Sequence, residues 1–303
     1  MKKLTGRQKT KIKSAAFYVS LVGLPVLQFC IFYIGVNLNS ILLAFKAYDM
    51  GAGEYVFYGL NNFTKVFRDF GTLAYLGSAI KNSLILYGVS ILVALFSTFF
   101  SFYIYKKRLL GGLFRFILFL PHIVSALVFS LIFMYFTDEV IPFFADNLFH
   151  TAMEGLISNP KTQLGAVLFF TFWTGFSTQV LMFSSSMSGI SDSVIEAGIM
   201  DGVTPLKEFF YIVVPMVWST LCTFLVVGVA TIFTAQMNLF SFFGTSAEYG
   251  VYTFGYYLYR AAKLAGVSDY PYLSATGLVL TAVAIPLSFL ARFALGKVGP
   301  HAD

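Results

Sequence analysis

Few residues in this chain are placed to do chemistry, and the most informative of them lie between Ser193 and Pro215. Ser193 and Glu196 stand at S-x-x-E spacing, in which hydroxyl and carboxylate each satisfy a free backbone N–H at a helix start. A short helix is therefore expected to begin at Ser193. Gly202 is expected to end it, because glycine enters the left-handed conformation of a helix end without steric cost. Thr204 and Pro205 then read as the N-cap and first position of a second helix. Helix, glycine turn and helix make a stiff elbow. Its chemistry is recognition: Glu196 offers a carboxylate close to Ile195, Ile199 and Met200, a charged key beside an apolar patch.

Catalytic arrangements fail on spacing. The only Gly-Lys pair, Gly296-Lys297, is followed by Val298 where a phosphate-binding loop needs Ser or Thr. Gly175-Phe176-Ser177-Thr178 lacks the glycine that follows the serine of an intramembrane serine protease. None of His122, His150 and His301 lies on an apolar span after Ser177. Cys30 and Cys222 make neither a disulfide framework nor a metal set, and read as buried small hydrophobes. No catalytic residue, metal ligand or cofactor site is expected in this chain.

The elements that carry these residues follow from composition. The chain is 58% hydrophobic and 11% charged, against about 25% charged in soluble domains. A helix that crosses the hydrocarbon needs about 20 apolar residues. Six runs qualify, at 17–36, 82–105, 114–136, 164–183, 213–233 and 273–293, and each is free of Asp and Glu. The alternation of a membrane β-barrel is absent. The expected fold is all-α and polytopic with six transmembrane helices. The division expected is residues 1–80, a basic tail, first span and outer segment, and residues 81–303, a five-helix core with an elbow at 188–212. With the N-terminus inside, 13 of the 20 Lys and Arg fall on the inner side, so both termini and the elbow are expected to be cytoplasmic. The basic tail then anchors the first span, which reads as retained rather than as a cleaved signal. Nucleic acid is not expected as a partner.

Polar and aromatic side chains within the spans mark a candidate pathway. Trp173 and Gln179 lie on the fourth span, with Thr174 and Ser177 between them; Gln236 and Asn238 lie where the fifth span meets the outer side. Planar amides and an aromatic face suit a neutral polyhydroxyl solute. They equally suit interhelical hydrogen bonds and an interfacial anchor. His122 either lines a pore or bonds neutrally to a neighbouring helix near Pro121. The acid-free spans argue against proton or sodium coupling.

The stretch Glu196-Ala197-Gly198, then Asp201-Gly202, then Ile212 and Val214-Pro215, resembles the EAA loop of membrane subunits of bacterial ABC importers. That pattern is Glu-Ala-Ala, three residues, Gly, nine residues, Ile, one residue, Leu-Pro. Spacing is kept throughout; Gly198 replaces the second alanine and Val214 the leucine. Weaker likenesses to sugar-type permeases lie at 59–86 and in FRFILFLP ending at Pro121, while SFFGTSAEYG departs from the family's glycine-rich stretch after the fifth span. The resemblance implies a type I ABC importer permease fold of the carbohydrate-uptake class in a bacterial cell membrane. It implies a second permease subunit, two cytoplasmic ATPases carrying ATP and Mg, an extracellular substrate-binding protein and the lipid around them. It also implies that Glu196 faces a basic residue in a cleft of the ATPase. An importer for a glycerol phosphate ester, a stand-alone secondary carrier and an intramembrane enzyme are the alternatives.

Overall fold

A computed structural model describes residues 6–107 and 109–299. Residues 1–5, Arg108 and 300–303 lie outside it, as do the side chains of Gln8, Lys9, Thr10, Lys11, Ile12, Ala74, Phe119, Leu120, Pro121 and His122. The roles expected of Pro121 and His122 therefore fall outside the described residues. The chain divides into two units, Met1–Asp69 with Leu264–Val279, and Phe70–Lys263 with Leu280–Asp303.

The first unit opens with α1 (Lys13–Leu43), long and apolar enough to cross a membrane. Phe17, Leu24 and Phe32 on it are exposed; a helix apolar all round has lipid as its natural solvent. A small hairpin follows, β1 (Lys46–Asp49) antiparallel to β2 (Glu54–Phe57), with Lys46 opposite Phe57. It is the only sheet among the described residues, an addition to the all-α architecture that otherwise holds. Tyr48 and Tyr55 face each other across it at 5.2 Å, a cross-strand aromatic pair. In α2 (Asn61–Thr72) the buried Asn62 donates to the carbonyls of Ala44 and Lys46 at 2.9 and 2.7 Å. Its amide is thus committed to holding the hairpin base. Tyr272 donates to Asp69 Oδ2 at 2.8 Å, with Lys65 over its ring.

The second unit is a helical bundle around α3 (Ala74–Tyr105). It is followed by α4 (Gly111–Ile123), α5 (Ala126–Phe149) and α6 (Gln163–Ser188). Small residues let α3 and α6 approach closely: Ser97 and Ser101 donate to the carbonyls of Phe176 and Val180, and Gly175 lies opposite Val93. Next come α7 (Asp192–Met200), α8 (Pro205–Met216) and α9 (Trp218–Ala230). The short α10 (Leu239–Phe243), α11 (Phe254–Leu264) and α12 (Tyr270–Val298) complete the chain. Among the described residues five helices are long and apolar enough to span, and six if α8 and α9 count as one bent by 67°.

Two expected spans change. The third was expected as one run from 114 to 136, but the helix ends at Ile123 and restarts at Ala126. Ser125 is extended (φ −62°, ψ 144°) and accepts from the Val128 N–H, an N-cap hidden inside an unbroken apolar run. The spanning candidate is therefore Ala126–Phe149, and it includes Asp138, Glu139 and Asp146, so the expectation of acid-free spans fails here. Asp138 is committed to structure: Oδ1 accepts from the Ile157 N–H at 2.8 Å and Oδ2 from the Ser158 hydroxyl at 2.5 Å. The fifth span, expected as one run from 213 to 233, is interrupted at Val217, and its helix ends at Ala230.

Candidate functional site

The elbow joins α6 to α9. Ser191, extended at φ −64° and ψ 132°, is the N-cap of α7, and its hydroxyl meets that of Ser193 at 2.7 Å. Ser193 is itself helical, so the expected capping box with Glu196 does not form. Ser191 and Ser193 compete for the cap, and starting at Ser191 puts Asp192 in the first turn, where a negative charge meets the positive end of the helix. Glu196 is left exposed. So are Ile199 and Met200, the latter 87%.

The end of α7 follows the expectation closely. Asp201 caps the helix, its N–H bonded to the Ala197 carbonyl. Gly202 stands at φ +74°. Its N–H donates to Ile199 and that of Val203 to Gly198, both at 3.0 Å, the paired bonds of a Schellman turn. Gly198 is buried, and a Cβ there would lie 2.7 Å from Ile212 Cδ1. The substitution that departs from Glu-Ala-Ala is thus matched to the isoleucine fourteen positions on in the same motif.

The second arm starts as expected, with extended Thr204 followed by Pro205, though the Thr204 side chain makes no capping bond. The turns widen to π geometry over Phe209–Val213. Pro215 accounts for this: it has no N–H for the Tyr211 carbonyl four residues back, and its ring would crowd that oxygen. Phe209, Val213, Val217 and Leu221 root the arm in a core with Ala94, Phe102, Phe183 and Met187. Lys106, at the end of α3, reaches Glu208 at 2.7 Å.

A cavity of about 500 Å³, lined by both apolar and uncharged polar residues, lies between α3, α6, α9 and the segment that leads into α10. Tyr87 and Ser90 line it from α3, Thr171 from α6, Thr231 after α9, Tyr259 from α11, and Gln236 and Asn238 from the connection. No charged residue is among its lining. Met237 and Asn238 are both left-handed, at φ +51° and +56°; such strain in non-glycine residues is held only where the surroundings over-determine it. Asn238 also borders a second hollow of about 390 Å³ with Thr174 and Thr178.

Gln236 and Asn238 are therefore brought together, and Trp173 and Gln179 are not. Trp173 faces an apolar hollow of about 470 Å³ and packs on Phe129 at 5.1 Å. Gln179 lines neither of the hollows that Asn238 borders, and its Oε1 is buried without a hydrogen-bond partner among the described residues. Ser177 is buried and donates to the Leu118 carbonyl, a bond within the bundle. Tyr87 and Ser90 are not among the residues expected to line a pathway. Their signal was faint: Tyr87 and Ser90 share one helix face inside an otherwise apolar span.

No protein-family model matches the chain. Among curated proteins it is similar to a probable ABC transporter permease, the MG188 homolog of Mycoplasma pneumoniae. That match is 25% identical over 186 residues and covers 59% of this chain and 56% of the relative. It is similar to the probable ABC transporter permease YurN of Bacillus subtilis, 24% identical over 288 residues, covering 92% and 96%. The sn-glycerol-3-phosphate transport system permease UgpA of Yersinia pestis is 26% identical over 165 residues, covering 53% and 54%. The chain thus spans little more than half the length of the first of these relatives. Among solved structures, a chain of a bacterial ABC transporter involved in import of the acidic polysaccharide alginate superposes with a TM-score of 0.76. Identity is 17%, and the match covers 97% of this chain and all of that one. The alginate transporter in complex with its pentasaccharide-bound periplasmic protein gives 0.74. The fold is that of a type I ABC importer permease, as expected. The chain has the helices of a multi-pass membrane protein and is similar to permeases of ABC transporters.

Proposed function

We propose that this chain is one permease subunit of an ATP-driven importer for a neutral sugar or oligosaccharide. Its partners are a second permease, two cytoplasmic ATPases that carry ATP and Mg, and an external substrate-binding protein. Both termini and the elbow face the cytoplasm. The observation that carries the reading is the elbow: a Schellman-turned pair of short helices at the full EAA-loop spacing, with Glu196 exposed on the first. Glu196 beside Ile199 and Met200 offers a charge-assisted bond worth about 1.5–3 kcal/mol to a basic partner. Nucleotide-driven movement of the ATPases would swing this elbow and tilt the helices rooted in it.

The solute class follows from the cavity. Hydroxyls and amides without a charged lining suit a neutral polyol; a phosphate ester or an acidic polysaccharide calls for a cation there. Asp138, one of the three acids within Ala126–Phe149, is occupied by the Ile157 N–H and the Ser158 hydroxyl. The test is uptake into proteoliposomes holding the complete complex, with neutral oligosaccharides, glycerol 3-phosphate and alginate fragments supplied in turn. Import of a neutral sugar that needs ATP inside and the binding protein outside is expected, and Gln236→Ala is expected to raise KM roughly tenfold without lowering ATP hydrolysis. Import of only the anionic solutes would overturn the substrate class, and ATP-independent uptake by this chain alone would overturn the importer reading.

A further inference from the structure

The ion pair between Lys106 and Glu208 takes no part in meeting the ATPase or the solute, and a role for it rests on the importer function proposed above. Lys106 is the C-terminal cap of α3 and Glu208 closes the first turn of α8. They meet at 2.7 Å with their side chains only 21% and 6% exposed. Among the described residues Glu208 Oε1 has no hydrogen-bond partner, and the Lys106 ammonium is the charge that faces it. Around the pair the contact is apolar and incompletely filled. Phe209 packs on Phe102 at 5.2 Å and on Phe99 at 5.6 Å. Beside them is a hollow of about 270 Å³ that Tyr103, Lys106, Pro205 and Leu206 help to line.

These features divide the labour. Aromatic faces beside a void can slide with little change in contact, since dispersion is non-directional. A desolvated ion pair cannot slide, because separation leaves a bare charge in a poorly hydrated place. Such a pair is weak evidence for stability, since apolar residues of similar volume often serve as well. What it supplies is a fixed point. The same helix carries Tyr87 and Ser90 to the cavity that Gln236 and Asn238 line, and Ser90 lies about 24 Å along α3 from Lys106 at 1.5 Å per residue.

We propose that Lys106 and Glu208 form a positioning latch that ties the second arm of the elbow to α3, so that elbow movement reaches the helix lining that cavity. The test uses the full chain with Cys30 and Cys222 replaced and spin labels on Leu95→Cys of α3 and Tyr211→Cys of the elbow, both exposed. Distance distributions are measured in the purified chain, and ATP hydrolysed per sugar imported is measured in the complete complex. Lys106→Met and Glu208→Gln are expected to broaden the distribution and to raise ATP used per sugar roughly tenfold, the scale of a contact-pair coupling. The swap Lys106→Glu with Glu208→Lys, and the conservative Lys106→Arg, are expected to restore both. If the single variants do not insert, the apolar pair Lys106→Met with Glu208→Leu leaves no bare charge, and a broad distribution is expected from it too. A distribution as narrow as that of the unaltered chain in these variants, or a swap as broad as the single variants, overturns the latch. A complex of unaltered chains that imports no sugar overturns the importer reading instead, and the distance distribution still decides the latch.

Discussion

Two polar interruptions break the apolar run of the second unit, and they are held in different ways. The segment from 234 to 264 is fastened at many points. Asn82 donates to the carbonyls of Gly250 and Tyr252, Ser83 accepts from the Phe254 N–H, and Thr253 donates to Ala235. Tyr252 and Tyr256 are buried against each other at 5.0 Å, and burial pushes both phenols above their ordinary range. The elbow has one ion pair, one packed glycine and one aromatic root, while Met200, Leu206, Phe210 and Tyr211 stand exposed. A segment with many independent ties is a frame, because no single loss frees it. A segment with few ties and a stiff internal turn is a lever, because it moves as a body.

The largest expected effect is on the lever. Glu196→Lys reverses an exposed charge that supports nothing within the described chain, so insertion and melting temperature should be unchanged while uptake is abolished. Gly202→Val should do the same by another route. Nothing lies within 4 Å of a Cβ there, so the cost is conformational, about 1–2 kcal/mol at a left-handed position, and the second arm is misdirected. Uptake at the normal rate by either variant, with surface expression measured alongside, would reduce the elbow to a connection.

The frame should respond in the opposite sense. Asn82→Ala leaves two carbonyls of the 234–264 segment without their donor, at about 1–3 kcal/mol for each buried group left unpaired. Thermal stability should fall and proteolysis at 244–252 should rise, while stimulation of the ATPases by the assembled complex persists. Loss of coupling without loss of stability would erase the distinction between frame and lever. The smallest effect is expected from Gly198→Ala, which forces Ile212 to turn. Overpacking of this kind costs about 1–3 kcal/mol, and here a single flexible methyl has to yield, so the low end is expected. Ile212→Val, which removes that methyl, should return the melting temperature of the double variant to within a degree or so of the original.

Much of the elbow was legible because its signals are local. Gly202 and Pro205 each act on their own backbone and do in the structure what their chemistry dictates, while Thr204 takes the extended N-cap backbone without the side-chain bond. The misplaced start of α7 is also local: Ser191 and Ser193 are equivalent caps by type, and only the preceding chain path chooses between them. The break at Ser125 was hidden because hydropathy reads through a serine among apolar neighbours. The Lys106–Glu208 pair has no sequence signal, since its members are brought together only by packing. Gln236 and Asn238 were found because amides at the end of a span stand out. Trp173 and Gln179 stand out by the same criterion, but they lie on parts of α6 turned away from the cavity that Gln236 and Asn238 line.

The central claim is that the elbow, and not the outer side, meets the ATPase. It is tested most directly by zero-length cross-linking in the assembled complex, in a chain whose Cys30 and Cys222 are replaced. One single cysteine stands at Met200 on α7, and another at Met50 in the turn between β1 and β2, 87% and 80% exposed respectively. The account predicts a disulfide from position 200 to a cysteine in the ATPase cleft, formed in the transport-active complex and lost with Glu196→Lys, and none from position 50. A cross-link from position 50 to the ATPase, or none from 200 in a complex that still transports, would contradict it.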